Sequence, residues 1–262
     1  MSALKVRSPT AWFDCGDVPF QHAGRRVKKP DPETAEQTRL VRIRVGPADN
    51  DSSIPAQTVT LDGDLTVPPG AAGIVLFAHG SGSSRHSPRN QFVARAIREA
   101  GDGTFLFDLL TREEEAEDNV TGRLRFDIGL LARRLVEATR WIANQPETQE
   151  LGIGYFGAST GGAAALVAAA EIGPGIDAAV SRGGRPDLAQ DALEKVQSPT
   201  LLIVGERDET VLELNRNAYA RLRCEKELQV VPRATHLFEQ RGALEEVARL
   251  AAGWFRRHLR PP

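Results

Sequence analysis

The chain has 262 residues, of which 41% are hydrophobic and 26% are charged, so it is long enough for one large domain with a substantial core. Its formal net charge is −2, and such a balance excludes a general attraction to nucleic acid or to an anionic membrane. Only two cysteines occur, Cys15 and Cys224, without metal-like spacing, which argues against a disulfide framework or a metal site.

The first predicted elements are polar or strand-like. Residues 1–36 contain four prolines and few apolar residues, and they are predicted to be an arm or linker preceding a folded domain over 37–262. Residues 39–46 and 57–68 alternate apolar and polar residues around a predicted Asp62-Gly63 turn, which is typical of antiparallel strands at a sheet edge.

From residue 72 onwards, buried strands alternate with helices. The acidic segment that runs from Glu113 to Asp118 is predicted to be a solvated loop. The regular alternation predicts an α/β fold with a mostly parallel central sheet, helices on both faces and no large cap domain. The strands are predicted at 72–80, 103–110, 151–157, 176–182, 199–205 and 226–232, and the helices at 91–100, 127–144, 160–172, 211–222 and 241–259.

Two motifs overlap in "LGIGYFGASTGGAAA" (151–165). Gly152, Gly154 and Gly157 spell the G-x-G-x-x-G of a dinucleotide site, whereas Gly157, Ser159 and Gly161 spell the G-x-S-x-G of a nucleophile turn. The first motif requires a strand before its first glycine, but "NQPETQE" precedes it and the glycines lie inside the strand. A redox function is therefore the weaker interpretation, and no cofactor is expected.

Ser159 falls where a strand ends and a helix begins, and an acid and a histidine follow in the same topological position. Asp208 follows the strand at 199–205, and His236 follows the strand at 226–232. The chain order Ser, Asp, His at the carboxyl ends of strands predicts a catalytic triad. Asp187 is the rival acid, and each residue alone could instead be a helix cap or an ordinary loop residue.

The loop after residue 78 supplies the other expected site residues. The backbone N–H groups of Ser81 and Thr160 are predicted to form an oxyanion hole, with Gly82 a second choice. Arg85, Arg182 and Arg185 are candidates for substrate binding, because an arginine at this edge can grip a carboxylate or phosphate. The alternative for Arg182 and Arg185 is an ion pair with a nearby carboxylate.

The motifs "HGSGSSRHSPRN", "GYFGASTGGAAAL", "SRGGRPDL" and "ATHLFEQRGALEEV" resemble the dienelactone-hydrolase-like branch of the α/β-hydrolases. They are similar in particular to a bacterial subgroup sometimes fused to phosphoribosyltransferase domains, and the resemblance covers residues 38–260. Dienelactone hydrolase itself uses a cysteine nucleophile where this chain has Ser159. The resemblance therefore implies hydrolysis of general esters rather than of dienelactone.

These observations predict a cytoplasmic serine hydrolase that cleaves short, soluble carboxylic esters or lactones through an acyl-enzyme. A perhydrolase or acyltransferase with the same triad, and a non-catalytic ligand-binding protein of this fold, are the alternatives. The expected partner is a small-molecule ester, with no nucleic acid, membrane or metal, and the sequence leaves a homodimer open.

Overall fold

The computed structural model of the chain describes residues 37–46 and 58–259, so the predicted arm over 1–36 lies outside the described residues. Eight strands and six α-helices occur in the described part. The strands are β1 (Thr38–Val45), β2 (Val59–Thr66), β3 (Gly73–Ala78), β4 (Gly103–Phe107), β5 (Gly152–Ala158), β6 (Ala178–Arg182), β7 (Thr200–Gly205) and β8 (Lys226–Val231). The helices are α1 (Pro88–Glu99), α2 (Arg112–Thr121), α3 (Ile128–Ala143), α4 (Thr160–Ile172), α5 (Glu209–Arg221) and α6 (Ala243–His258).

The strands form a single sheet in the order β1-β2-β4-β3-β5-β6-β7-β8. β1 pairs antiparallel with β2, and β2 pairs antiparallel with β4, whereas the remaining pairs are parallel. The predicted mostly parallel sheet with antiparallel strands at one edge is confirmed. Because β3 to β7 are parallel, their carboxyl ends meet at one edge of the sheet.

Both faces of the sheet are covered because its central strands are apolar along their whole length. Every residue of β3, β4, β5, β6 and β7 is buried. Helices α1 and α6 pack on one face, and α3, α4 and α5 contribute to the core on the other. Gly154 allows α6 to approach closely, since a Cβ there would lie 2.8 Å from the ring of Phe255.

Two local predictions were wrong. Asp62 and Gly63 lie inside β2, where Gly63 pairs with Val41 and Phe107 rather than forming a turn. A side chain at Gly63 would collide with the Phe105 ring, so the glycine serves close packing. The acidic run predicted to be a loop instead forms α2. The first turn of α2 carries three glutamates, whose negative charges interact favourably with the positive end of the helix dipole.

The segment between β6 and β7 adds no large cap. It contains Pro186–Lys195, which is helical but kinked at Gln190, where φ is 47°. No helix among residues 37–46 and 58–259 is long and apolar enough to cross a membrane. Within the described residues, the segment between β6 and β7 therefore forms no separate cap domain.

Candidate active site

Ser159 occupies a strained turn between β5 and α4. Its φ of 51° and ψ of −120° lie in a region that costs a non-glycine residue about 1–3 kcal/mol. Close backbone packing enforces the turn, because a Cβ at Gly161 would lie 2.5 Å from the His79 carbonyl oxygen and one at Gly157 would lie 2.6 Å from the Gly162 Cα. The Ser159 side chain does not cap α4, so the simple helix-cap interpretation of this serine fails.

Backbone hydrogen bonds tie the Ser159 turn to the loop after β6. The Ser159 N–H donates to the Arg182 carbonyl oxygen at 3.2 Å, and the Arg185 N–H donates to the Ser159 carbonyl oxygen at 3.1 Å. Residue 159 is thus held from both sides, which stabilises its unusual backbone conformation.

Asp208 and His236, which follow β7 and β8, lie in contact. Asp208 Oδ2 lies 2.7 Å from His236 Nδ1, and the Asp208 side chain does not cap α5. The loops after β7 and β8 can approach closely because residue 205 is a glycine. A Cβ at this position would lie 2.5 Å from the Ala234 carbonyl oxygen. The Arg207 N–H donates to that same carbonyl at 2.9 Å.

The structure does not join every member of the predicted triad. Among the hydrogen bonds of the described residues, none connects the Ser159 hydroxyl to His236. The rival acid Asp187 instead receives two bonds from the Arg185 guanidinium, at 2.8 and 2.7 Å. The geometry therefore pairs His236 with Asp208 rather than with Asp187.

The two residues of the predicted oxyanion hole lie side by side. Ser81 Oγ and Thr160 Oγ1 are 3.3 Å apart. The loop after β3 approaches the Ser159 turn closely because residue 80 has no side chain. A Cβ at Gly80 would lie 3.0 Å from the Ser159 Cβ. Gly82 has a φ of 63°, which its lack of a side chain permits.

His79 and Arg85 fix this loop to the end of β4. The Leu109 N–H donates to His79 Nε2 at 3.0 Å, which places the ring proton on Nδ1. Burial lowers the pKa of His79, so the ring is neutral and acts as an acceptor. The Arg85 N–H donates to Asp108 Oδ1 at 2.8 Å, and the Arg85 guanidinium pairs with Asp108 Oδ2.

A cleft opens between the loop over residues 79–84 and α2. Leu109 and Leu131 provide apolar lining, and α2 contributes Glu115, Asp118 and Asn119. Because α2 was predicted to be a loop, sequence reasoning missed these lining residues. The capping-box pattern, Thr111 followed three residues later by Glu114, could have indicated the helix.

The three candidate substrate-binding arginines differ in their partners. The Arg85 and Arg185 guanidinium groups are each bound by a carboxylate, Asp108 and Asp187 respectively. Arg182 is only 6% exposed, donates from Nη2 to Asn90 Oδ1 at 3.2 Å, and has no hydrogen-bond partner at Nε. The ion-pair alternative thus applies to Arg185, whereas Arg182 has no ion pair within residues 37–46 and 58–259.

Within the described residues, no group of three or more His, Cys, Asp or Glu side chains could hold a metal ion. The candidate site therefore consists of a serine turn, an acid–histidine pair, a loop of backbone N–H groups and a small cleft. The model of the dienelactone hydrolase family matches residues 61–258, which include all of these parts. The chain belongs to the dienelactone hydrolase family.

A solved member shares this fold. The crystal structure of dienelactone hydrolase from Anabaena variabilis ATCC 29413 is 55% identical, with a TM-score of 0.78 over 86% of this chain and 100% of that chain. Est1E from Butyrivibrio proteoclasticus is 15% identical, with a TM-score of 0.65 over 82% of this chain and 98% of that one, and likewise shows the α/β-hydrolase fold.

Two strains of Mycobacterium tuberculosis, CDC 1551 and H37Rv, have a relative named "putative phosphoribosyl transferase". Each is 57% identical over 253 residues, covering 96% of this chain but 53% of the relative. The chain thus spans about half the length of these relatives. Their name belongs to those longer proteins and is not carried over to this chain.

Proposed function

We propose that this chain is a hydrolase of carboxylic esters in which Ser159, His236 and Asp208 form a catalytic triad. The observation that carries the proposal is the 2.7 Å contact between Asp208 Oδ2 and His236 Nδ1 at the same sheet edge as the strained Ser159 turn. Membership of a hydrolase family supports it. Catalytic hydrogen bonds of an unliganded site are often long and shorten on substrate binding, so an unbonded Ser159 hydroxyl is compatible with this role.

His236 Nε2 takes the proton of the Ser159 hydroxyl as the oxygen attacks the ester carbonyl. Asp208 holds the Nδ1–H of the imidazole and stabilises its positive form. The negative oxygen of the tetrahedral intermediate binds the N–H groups of Thr160 and Ser81, and one such donor is worth about 3 kcal/mol of barrier. His236 then protonates the leaving alcohol, and water hydrolyses the acyl-enzyme by the same steps.

The substrates are short, soluble esters or lactones. The described residues include no large cap over the sheet edge, and the cleft beside the oxyanion loop is small and lined by both polar and apolar groups. A serine nucleophile suits general esters.

Turnover of p-nitrophenyl acetate by wild type, Ser159→Ala, Asp208→Asn and Asp187→Asn tests the triad. We expect Ser159→Ala to abolish activity and Asp208→Asn to lower kcat by about 10²–10⁴-fold, because the imidazole loses its orienting acid. Asp187→Asn is the matched control and should retain activity, since Asp187 binds Arg185. A fluorophosphonate should label Ser159. If Ser159 is not labelled, or if Ser159→Ala turns over the ester as fast as wild type, the proposed hydrolase function is refuted.

The same triad would serve a perhydrolase or an acyltransferase, with peroxide or an alcohol in place of water. Product analysis with added hydrogen peroxide or methanol separates these activities from hydrolysis. A non-catalytic binding protein would bind esters without turnover. The paired acid and histidine favour the enzyme over the binding protein.

A further inference from the structure

The β6 loop, residues 183–185, lies between the nucleophile turn and the histidine of the proposed triad. Its Arg185 N–H donates to the Ser159 carbonyl oxygen at 3.1 Å. On the other side of the loop, a Cβ at Gly183 would lie 3.3 Å from the His236 carbonyl oxygen and 3.5 Å from His236 Nδ1. A shift of this loop would therefore change the distance between the Ser159 hydroxyl and the imidazole.

Asn215 of α5 binds the middle of the β6 loop. Its Nδ2 donates to the Gly184 carbonyl oxygen at 3.0 Å and to the Val211 carbonyl oxygen of its own helix at 2.7 Å. Both neighbours are acceptors, so the amide can present only its NH2 group to them. Within the described residues, this is the only side-chain hydrogen bond that the backbone of the β6 loop receives.

Packing alone does not explain an asparagine at this position. The Asn215 side chain is fully buried, and its Oδ1 has no hydrogen-bond partner among the described residues. Asparagine is a weaker helix former than leucine, and a buried acceptor without a partner costs stability, so an apolar side chain such as that of Leu212 would suit the position better. An unsatisfied buried group calls for an explanation, and the bond to Gly184 supplies one.

The helix that carries Asn215 begins at the acid of the proposed triad. Asp208 directly precedes α5, and the Leu212 N–H donates to the Asp208 carbonyl oxygen at 2.8 Å. Asn215 follows Asp208 by seven residues, or about two helical turns, so the two residues lie on one side of the helix. α5 thus connects the carboxylate that contacts His236 with the loop that is bonded to Ser159.

We propose that Asn215 is a positioning residue, which sets the placement of Ser159 relative to His236 by holding the β6 loop on α5. This inference rests on the proposed hydrolase function and adds a residue that the triad needs, although it contacts no reacting atom. The Ser159 hydroxyl must come within hydrogen-bond reach of the imidazole for proton transfer, and a misplacement of about 1 Å can cost about 10²-fold in rate.

Asn215→Leu removes both N–H donors and keeps the branched shape of the side chain. With p-nitrophenyl acetate, we expect kcat to fall about 10- to 100-fold because the triad is misaligned. KM should change little, since neither Asn215 nor the β6 loop lines the cleft. The rate at which a fluorophosphonate labels Ser159 should fall by a similar factor, because labelling requires the same proton transfer to His236.

Thr148→Val is the matched control for a general loss of stability. Thr148 is buried, and its Oγ1 donates to the Ile142 carbonyl oxygen at 2.5 Å. It precedes β5 and therefore lies at the opposite end of the strands from the site. This variant also loses a buried donor, so its Tm should fall about as far as that of Asn215→Leu, with kcat and the labelling rate unchanged. All rates are measured at a temperature at which circular dichroism shows every variant folded.

Asn215→Asp tests the donor itself, because only a protonated carboxyl can donate to the Gly184 carbonyl oxygen. Burial raises the pKa of such a carboxyl, and the guanidinium of the loop, that of Arg185, is already bound by Asp187. The ratio of kcat/KM in Asn215→Asp to that in wild type should be closest to one at low pH and fall as the pH rises through this pKa. Titration of His236 affects both proteins alike, so the ratio isolates the new carboxyl. The corresponding ratio for Asn215→Leu should be independent of pH.

The outcomes separate this inference from the proposed function. Wild-type kcat and labelling rate in Asn215→Leu, or an equal loss of kcat in Thr148→Val, overturn the positioning role and leave the hydrolase intact. So does an Asn215→Asp ratio that is as low as that of Asn215→Leu at every pH, or one that stays at the wild-type level up to about pH 10, above the pKa of known buried carboxyls. If Asn215→Leu does not fold, the pH dependence of Asn215→Asp decides alone. If wild type neither turns over the ester nor is labelled, the hydrolase function itself is refuted.

Discussion

Ser159 shows how single residues create the candidate site. Its positive φ is unfavourable for a residue with a side chain. This conformation is maintained because the neighbouring backbone segments pack tightly around the turn. The hydroxyl is presented at the start of α4, where the helix N-terminus favours developing negative charge. The closest backbone contacts are made at the flanking glycines, Gly157 and Gly161. Replacing one of them by alanine therefore tests the importance of this packing.

Gly161→Ala should destabilise the protein by about 2–3 kcal/mol, because its Cβ would lie 2.5 Å from the His79 carbonyl oxygen and force two segments apart. Gly253→Ala is the matched control. Gly253 lies in α6 with no atom within 4 Å of an added Cβ, so this variant should gain about 0.5–1 kcal/mol from helix propensity. Urea unfolding measures both changes, and equal stability of the two variants would contradict the close packing.

Asp102 makes stability depend on pH. Burial raises its pKa to about 6, and a hydrogen bond from the Gly73 backbone lowers it only in part. The native state therefore favours the protonated carboxyl, and this stabilisation is fully present below about pH 4 and is lost as the pH rises through 6. Asp102→Asn does not titrate, so it should be more stable than wild type by about 1–3 kcal/mol at pH 7–8.

Denaturant unfolding from pH 4 to pH 8 checks this dependence on Asp102. The difference between Asp102→Asn and wild type should grow through this range and become constant above pH 7. Asp191→Asn is the control, because the Asp191 side chain is 95% exposed and its loss should not produce such a curve. A difference between Asp102→Asn and wild type that is independent of pH would refute the role of Asp102.

At the scale of elements, α2 borders the cleft without an apolar face. Its single buried residue is Asp118, and Val120 is 88% exposed. The helix is instead stabilised by its Thr111 capping box and by Glu114, which receives a 2.6 Å bond from Arg134 of α3. Burial alone would raise the pKa of Glu114, but the bonds from Arg134 and Thr111 lower it overall. The position of α2 therefore depends on polar contacts, namely the Glu114–Arg134 ion pair and the bonds of Asp118 with Leu124 and Arg125.

Glu114→Gln should loosen α2, because Arg134 is only 4% exposed and would lose its carboxylate. Since Glu114 is one-quarter exposed, we expect a modest loss of about 1–2 kcal/mol, which corresponds to about 5- to 30-fold faster amide exchange over residues 111–123. Glu113→Gln removes an exposed charge from the same turn and should leave exchange nearly unchanged. Equal exchange in both variants would show that the Arg134 pair does not hold α2.

The sequence predicted elements well where apolar residues run continuously and poorly where stability comes from distant partners. β3, β5 and α4 could be placed within about two residues because burial on both faces requires uninterrupted apolar runs. α2 has no apolar run and its partner Arg134 is 20 residues away, so only its capping box marks the helix in the sequence. Arg182 could be named as a candidate, but its lack of an ion pair among the described residues is a property of tertiary packing that the sequence does not show.

At the scale of the whole molecule, the sheet organises the site by bringing the ends of parallel strands to one edge. Ser159, Asp208 and His236 are far apart in the chain but each follows one of three strands, β5, β7 and β8. The opposite, antiparallel end of the sheet begins at β1, whose Thr38 Oγ1 lies 2.9 Å from Thr66 Oγ1. β1 also contributes Ile43 and Val45 to the core, at 1% and 5% exposure.

The sheet and core therefore predict where the folded domain begins. A variant that starts at residue 37 keeps β1 and all of these contacts, so its Tm should stay within about 4 °C of the full chain, with the same kcat/KM for p-nitrophenyl acetate. A variant that starts at residue 47 removes Ile43 and Val45 from the core and exposes the edge of β2, and it should unfold several degrees lower or aggregate. If the first variant also loses stability or activity, residues 1–36 contribute to the core or the site, and the domain boundary lies further towards the amino terminus.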